Sequence, residues 1–290
     1  MKITVIPNKI NNLDKYISSG VEAFIFGLKD YSINYLGLTI EEIKYIVDKY
    51  KDVDIFISIN KTIFNGELED LEKKMIELNS ISIKGVLFYD LGVLSLYNKH
   101  KFNYSLGWHQ THMVTNYNTC NYYYDKGVEY GVLSSEITKD EMIEIKNNTK
   151  MKLFTFIIGY PIMAHSKRRL LTNYYSSQNR EYDNSLKTIC EHDKEYLITD
   201  NSDGTCIYEG DIINGIDYLN ELNDSGIEYG IIHGFNIDDN LLERIISCTK
   251  EVRDNNSKAI IDEIKTLIGN NTGFFDKKTI FKVKKDEKKN

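Results

Sequence analysis

Short apolar runs recur along this chain, and stretches with helical spacing stand between them. Ile3–Ile6, Gly20–Gly27, Val53–Ile59, Gly85–Tyr89, Phe102–Leu106, Glu129–Leu133 and Lys152–Ile158 have the length and side chains of buried strands. Helices are predicted over Asn11–Ser18, Glu67–Asn79, Val93–Tyr97 and Asn116–Lys126. In Glu67–Asn79, Leu68, Leu71, Met75 and Leu78 form one stripe. Two further helices announce their starts. Thr39-Ile-Glu-Glu42 and Thr138-Lys-Asp-Glu141 are capping boxes, in which the hydroxyl accepts from a first-turn amide and the carboxylate reaches back. Ile40, Ile43, Ile46 and Tyr50 continue the first, and the second runs to about Asn147.

Strands alternating with helices pair in parallel through right-handed crossovers. Seven such strands before residue 160 exceed a small open sheet, and Glu228–His233, after an amphipathic helix at Ile212–Leu222, makes an eighth. The expected fold is α/β: a (β/α)8 TIM-barrel-like domain spanning 1–290, with an insertion at about 160–210 after the seventh strand and closing helices and tail over 238–290. A doubly wound open sheet is the alternative, although no G-x-G-x-x-G follows the first strand. Within the insertion, Asn201-Ser-Asp-Gly204 reads as a turn joining Tyr196–Thr199 to Thr205–Tyr208. Leu241–Arg253 and Ala259–Ile268 are the closing helices, and Phe274–Val283 is a candidate last strand.

Composition narrows the function classes. No run of eighteen apolar residues is present, so no membrane span is expected. The start, Met1–Pro7, reads as a strand and not as a leader, which leads to the expectation of a cytoplasmic protein. A net charge of −7 argues against general coating of nucleic acid but leaves room for a local basic site. The Lys-rich tail after Gly273 reads as a solvated terminus. Cys120, Cys190, Cys206 and Cys248 form no C-x-x-C pair, so neither disulfides nor a structural zinc site is expected.

In a barrel of this type the reacting groups lie at the C-terminal ends of the strands. That rule selects Asn60, Asp90, His109 with Gln110, Glu136 and the stretch after Ile158. Asp90 either serves the site or caps the next helix, and Glu136 either serves it or is a solvated loop carboxylate. His109 and His112 bind a metal together only if the stretch is helical and a third ligand joins them. No such ligand is evident, and no metal is expected. His165, His192 and His233 are isolated and read as structural or exposed. H-E-x-x-H, G-x-S-x-G and Walker patterns are absent. The triplet Lys167-Arg168-Arg169 follows Pro161, one of two prolines in the chain. Adjacent guanidinium forks at a barrel mouth suit a carboxylate or phosphate, against the alternative of an exposed basic loop.

The ordered series of motifs resembles the U32 peptidase-like (collagenase-like) family over nearly the whole chain. Gly159, Ser166, Leu170, Leu171 and Thr172 fit its segment His-Gly-x-x-Cys-x-x-Tyr-Ser-Gly-x-Cys-Leu-Leu-Ser without gaps. Gly20–Gly27, Ser58–Asn60, Tyr89–Gly92, Gln110–Asn116, Val132–Glu136 and Gly273–Val283 fit as well. Iron–sulfur members carry their first two cysteines where this chain has Ile162 and Arg169. The resemblance is therefore to the short, cluster-less subfamily, and no cofactor is expected. It implies a part in prephenate-dependent hydroxylation of the tRNA wobble uridine, beside a longer, cluster-bearing family partner. On that basis Glu136, Asp90 and His109 are the expected catalytic set. Arg168, Arg169, Lys167, Asn60 and Gln110 are expected to bind tRNA or a small prephenate-like dicarboxylate. The family label also carries two alternatives: a peptidase, and a catalytically silent partner.

Overall fold

A computed structural model of the chain describes residues 1–277. Eight parallel strands close on themselves: β1 (Lys2–Ile6), β2 (Ala23–Leu28), β3 (Asp54–Ile59), β4 (Gly85–Phe88), β5 (Ser105–Trp108), β6 (Val128–Val132), β7 (Lys152–Gly159) and β8 (Tyr229–His233). Closure is made by β1, which pairs with β8 along Lys2↔Tyr229 to Ile6↔His233 and with β2 at Thr4↔Ala23. Both faces of these strands are buried, as the unbroken apolar runs require. The expected (β/α)8 barrel is the observed one.

Helices α1 (Leu13–Ser19), α2 (Ile40–Lys49), α3 (Leu68–Leu78), α4 (Leu91–His100), α5 (Tyr117–Tyr124) and α6 (Lys139–Asn147) follow β1 to β6 in turn. Both capping boxes form. Glu42 N–H donates to Thr39 Oγ1 at 3.3 Å while Thr39 N–H donates to Glu42 Oε2 at 2.9 Å. Glu141 and Thr138 make the same reciprocal pair.

The lower half of the barrel is filled by aromatic rings. Phe56 meets Phe154, Tyr130 and Tyr229 edge-on at 5.0, 5.2 and 5.3 Å between centroids. Phe154 stacks on Tyr229 at 4.3 Å. Tyr229 hydroxyl donates to Asp54 Oδ2 (2.9 Å), which also accepts from Lys2 Nζ (2.6 Å), below the aromatics. The rings separate an open cleft at the N-terminal face, lined by Lys2, Tyr130, Lys152 and Tyr229, from the space at the C-terminal end.

The insertion after β7 is a lid. Its antiparallel sheet runs in the order Lys187–Glu191, Lys194–Asn201, Gly204–Glu209, Ile162–Ser166, and α7 (Leu170–Ser177) packs on it. The hairpin predicted at Asn201–Gly204 is present, with longer arms than expected. Gly204 takes φ +121°, and a Cβ there would lie 2.0 Å from Ser166 O, so only glycine lets the two lid strands meet. Neither helix α7, in the basic turn, nor the strand Lys187–Glu191, in the polar stretch after it, is among the predicted elements.

Several expectations need correction. Ile212–Leu222 is not one helix. Ile213–Asn214 pairs antiparallel with the end of β7, a 3-10 turn follows at Ile216–Tyr218, and α8 covers only Leu219–Asp224. The apolar spacing there serves burial of Ile213, Ile216, Leu219 and Leu222 through three different conformations. The closing helices are α9 (Asp239–Asn255) and α10 (Lys258–Ile268). Most of Phe274–Val283 lies outside the described residues. Phe274 and Phe275 stand in a turn, with Phe275 stacked on Tyr218 at 5.1 Å. Among the described residues, no helix is long and apolar enough to cross a membrane.

Phe56→Ala removes the ring shared by the other three aromatics and is expected to lower stability by about 3–5 kcal/mol. Tyr45→Ala, at a side chain 62% exposed, is expected to stay within about 0.5 kcal/mol. Urea denaturation of the two variants checks the pair.

Candidate functional site

Above the aromatic floor, the C-terminal mouth holds a cavity of about 60 Å³. Ile6, Val132, Phe156 and Ile231 form its apolar wall, and Pro161 with Ile162 of the lid covers it. Tyr35, Asn60, His109, Thr111, Ser135 and His233 supply its polar groups. Each side chain reaches the mouth from a strand end or the loop beyond it, as the fold dictates. His109 follows β5, His233 closes β8, and Tyr35 lies in the long connection between β2 and α2.

Three of these rings form a cluster. Tyr35 lies against His109 at 6.2 Å between centroids with 29° between planes, and meets His233 edge-on at 5.6 Å. Both imidazoles are buried, at 8% and 3% exposure. Burial pushes His109 down to about 4, with the neighbouring His233 adding to the effect. His233 is likewise pushed down to about 4 by burial, against backbone groups of Tyr160 and Asn34 that favour its charged form. Burial also drives the Tyr35 phenol well above its ordinary value. At neutral pH all three rings are therefore uncharged. His109 Nδ1 is buried with no hydrogen-bond partner among the described residues. Among those residues, no Lys, Arg, Asp or Glu lines the cavity, which thus offers no charged group to hold a carboxylate or phosphate.

The lid is seated on this mouth by side-chain contacts. Tyr208 stacks on Phe235, beyond β8, at 3.9 Å. Asn34 Nδ2 lies 2.9 Å from Cys206 Sγ. Lys167 Nζ sits 3.5 Å above the Phe64 ring, and Lys61 pairs with Asp203 at 3.7 Å. Gly159, at φ +139°, turns the chain from β7 into the lid, and a Cβ there would strike His233 O at 2.7 Å.

The sequence-selected residues divide into separate groups. His109 and Asn60 line the cavity. Asn60 also holds the loop that carries Tyr35, because its Oδ1 accepts from Ser32 Oγ (2.9 Å) and Ile33 N–H (2.7 Å). Gln110 Nε2 donates to Tyr89 O at 2.7 Å. Asp90 caps α4, accepting from Gly92 N–H at 2.8 Å, and accepts from Ile63 N–H at 3.1 Å through its other oxygen. Glu136 pairs with His112 Nδ1 at 3.1 Å, both nearly half exposed. His109 and His112 thus face different surroundings, and the stretch between them is a turn and not a helix.

The basic triplet is not in the cavity. Lys167 reaches over Phe64 and toward Glu67 Oε2 at 3.8 Å, Arg168 is exposed, and Arg169 Nε lies 3.9 Å from Asp200 Oδ2. Asp200 is fully buried and anchors α7: its Oδ2 accepts from Thr172 N–H (2.8 Å) and Thr172 Oγ1 (2.6 Å). A carboxylate from a lid strand thus does the capping that Arg169, at the N-cap, does not. Cys206 and Tyr208 face the barrel while Asp200 and Thr205 face α7, so α7 lies on the outer side of the lid.

Tyr35, Thr111, Ser135 and His233 were not selected, and two of them left a signal. His233 ends a barrel strand, the position that selected Asn60 and His109. Tyr35 lies in a connection far longer than a crossover turn needs.

Fold and site together define a (β/α)8 barrel whose mouth is roofed by an antiparallel lid over an uncharged, imidazole-bearing cavity. This chain belongs to peptidase family U32, whose model matches residues 8–278. It is 29% identical over 266 residues to tRNA hydroxylation protein P2 of Bacillus subtilis (strain 168), covering 87% of this chain and 84% of that one. To tRNA hydroxylation protein P1 of the same organism it is 22% identical over 204 residues, 68% of this chain and 48% of that one. Among solved structures, the U32 peptidase Mk0906 matches with a TM-score of 0.45 and 11% identity over 55% of this chain and 70% of that chain. A 3-hexulose-6-phosphate synthase matches with a TM-score of 0.46 and 9% identity over 86% and 99%.

An iron–sulfur cluster does not fit the described residues. The chain's thiols are dispersed over α5, two lid strands and α9. Among the described residues, no three His, Cys, Asp or Glu side chains are placed to hold a metal ion.

The imidazoles give the fold a pH signature. Unfolded, both bind protons near the ordinary value of 6.5; folded, they do so only near 4. Between those values the unfolded state holds more protons, so stability falls as pH drops through the window. The loss should approach roughly 3 kcal/mol per histidine at its acid end. Urea denaturation between pH 7 and 4.5 measures it, and His109→Gln should flatten the slope.

Proposed function

We propose that this chain is a non-proteolytic component of tRNA hydroxylation, acting at the wobble uridine with a prephenate-like dicarboxylate as co-substrate. The observation that carries the reading is the relative named tRNA hydroxylation protein P2, matched over most of both chains. Work on tRNA accords with a protein of the cytoplasm. A longer family member as partner accords with the P1 relative, of which this chain spans about half.

In this reading His109 is the residue facing the reacting base, and Glu136, paired with His112, supports it from outside the cavity. Asn60, Asp90 and Gln110 hold the loops that shape the mouth. Lys167, Arg168 and Arg169 take an anionic group, and the exposed lid position of Arg168 suits RNA phosphate better than a buried small acid. The dicarboxylate then binds outside the uncharged cavity or on the partner protein.

Proteolysis has less support. Burial pushes the Cys120 and Cys206 thiols up to about 11 and raises Cys248, away from the thiolate that a cysteine nucleophile needs. The cavity's two histidines, at about 4, are also poorly matched to act as a base on a serine near neutrality.

Cells lacking this chain should lose hydroxylated wobble uridine in mass spectra of tRNA nucleosides. A chain carrying Arg168→Ala and Arg169→Ala should restore it only in part. Unchanged hydroxylation in the deletion strain would sink the reading.

A further inference from the structure

The lid is tethered at one end and pinned by charges at the other. Both of its connections to the barrel, through Pro161 and through Gly210, leave from one end, where Glu209 N–H donates to Pro161 O at 3.1 Å. The opposite end lies about 20 Å further along the strand that begins at Ile162. It is made by Lys167 and the turn at Asn201–Gly204, beside the pair Ser166 and Thr205. There a row of alternating charges crosses the seam twice. Lys61, on the barrel loop after β3, is only 13% exposed; its Nζ donates to Asp30 O at 2.8 Å and stands 3.7 Å from Asp203 Oδ1 of the lid. Glu67 lies 3.4 Å from Lys61 on one side and 3.8 Å from Lys167 of the lid on the other.

With the lid seated, the space over Tyr35 and His109 is about 60 Å³, whereas a cavity of roughly 150 Å³ is needed to take up a benzene ring. Any ring that reaches those side chains therefore needs the lid raised. The packing beneath the lid allows it. Cys206 and Tyr208 pack with Ile33 in a cluster of their own, separate from the barrel core. The Tyr208 hydroxyl is buried there with no partner among the described residues, so raising the lid hydrates it and offsets part of the cost.

We propose that the lid is a flap that turns about Pro161 and Gly210, is latched shut by Asp203, Lys61, Glu67 and Lys167, and is released when a chain of phosphates engages Lys167, Arg168 and Arg169. It rests on the tRNA reading above for the source of the phosphates and adds how the mouth is opened. Ion pairs of this length between partly exposed groups are weak, so the latch yields to a stronger anion. Lys167 belongs to both arrangements: it closes the latch over Phe64 and Glu67, and it adjoins the two arginines. A phosphate bound by Lys167 and Arg168 together draws the ammonium away from the barrel. A ligand that binds the raised lid better than the seated one shifts the population toward the raised state.

The chain's own thiols report the motion. Cys206 is buried on the inner side of the lid, Cys120 and Cys248 are buried in α5 and α9, and Cys190 is exposed in either state. The full chain is pulsed with N-ethylmaleimide, and peptide mass spectrometry reads each thiol. Lys61→Met and Asp203→Asn should each speed labelling of Cys206 at least tenfold while Cys120 and Cys248 stay as slow as in the unaltered chain. Asp203→Asn suits the turn equally well, so it decides the matter if Lys61→Met does not fold. A single-stranded RNA heptamer should speed Cys206 in the unaltered chain, sodium chloride of the same ionic strength should not, and Arg168→Ala should blunt the gain. Cys206 unmoved by the latch variants, or rising only together with Cys120 and Cys248, overturns the flap. A heptamer that leaves Cys206 unmoved or slows it overturns release by phosphate. RNA-driven opening in a protein whose deletion leaves wobble hydroxylation unchanged would uphold the flap and refute the tRNA hydroxylation reading. Lost hydroxylation with Cys206 indifferent to both latch and RNA would do the reverse.

Discussion

The aromatic packing of Phe56, Phe154, Tyr130 and Tyr229 is the constraint on which the rest of this molecule depends. Closing eight parallel strands leaves an interior that must be filled, and four large rings fill its lower half. Above them, at the C-terminal end, space remains where the strands hand over to their loops. What lines that space is then set by register: side chains at the ends of β5 and β8 arrive at one level, and their imidazoles meet the Tyr35 ring between them. The low proton affinity of both histidines follows from the same burial, so the chemistry of the mouth is a consequence of the packing beneath it.

The lid adds a second surface with a different character. Its inner side places Pro161 and Ile162 over the cavity and seats Tyr208 on Phe235. Its outer side carries α7, held by the buried Asp200, with Arg168 exposed at the start of the helix. Ile162 and Arg169, both in the basic turn, therefore do different things. Ile162 is part of an apolar roof, and Arg169 is a rim cation leaning on a buried carboxylate. The basic turn is less the site itself than the frame around it.

Much of the barrel was legible because its signals are local. Apolar runs of strand length, two capping boxes and strand-ending polar residues each report on neighbours in sequence, and the eight strands were placed to within a few residues. The segment Ile212–Leu222 misled because apolar spacing reports burial, and three conformations there bury the same side chains. Helix α7 was hidden because its capping carboxylate comes from Asp200, far along the chain. The site was half legible. The ends of β3 and β5 gave Asn60 and His109, whereas Asp90 turned its carboxylate to helix capping and Glu136 to His112. Tyr35 owes its place to a loop held by Asn60, a contact that no local pattern announces.

The central claim is that the barrel mouth, and not the basic lid, meets the reacting base. Photo-cross-linking with tRNA carrying 4-thiouridine at the wobble position, followed by peptide mass spectrometry, tests it most directly. The account predicts adducts on the peptides that carry Tyr35 and His109. Adducts confined to the lid segment 163–180 would contradict it.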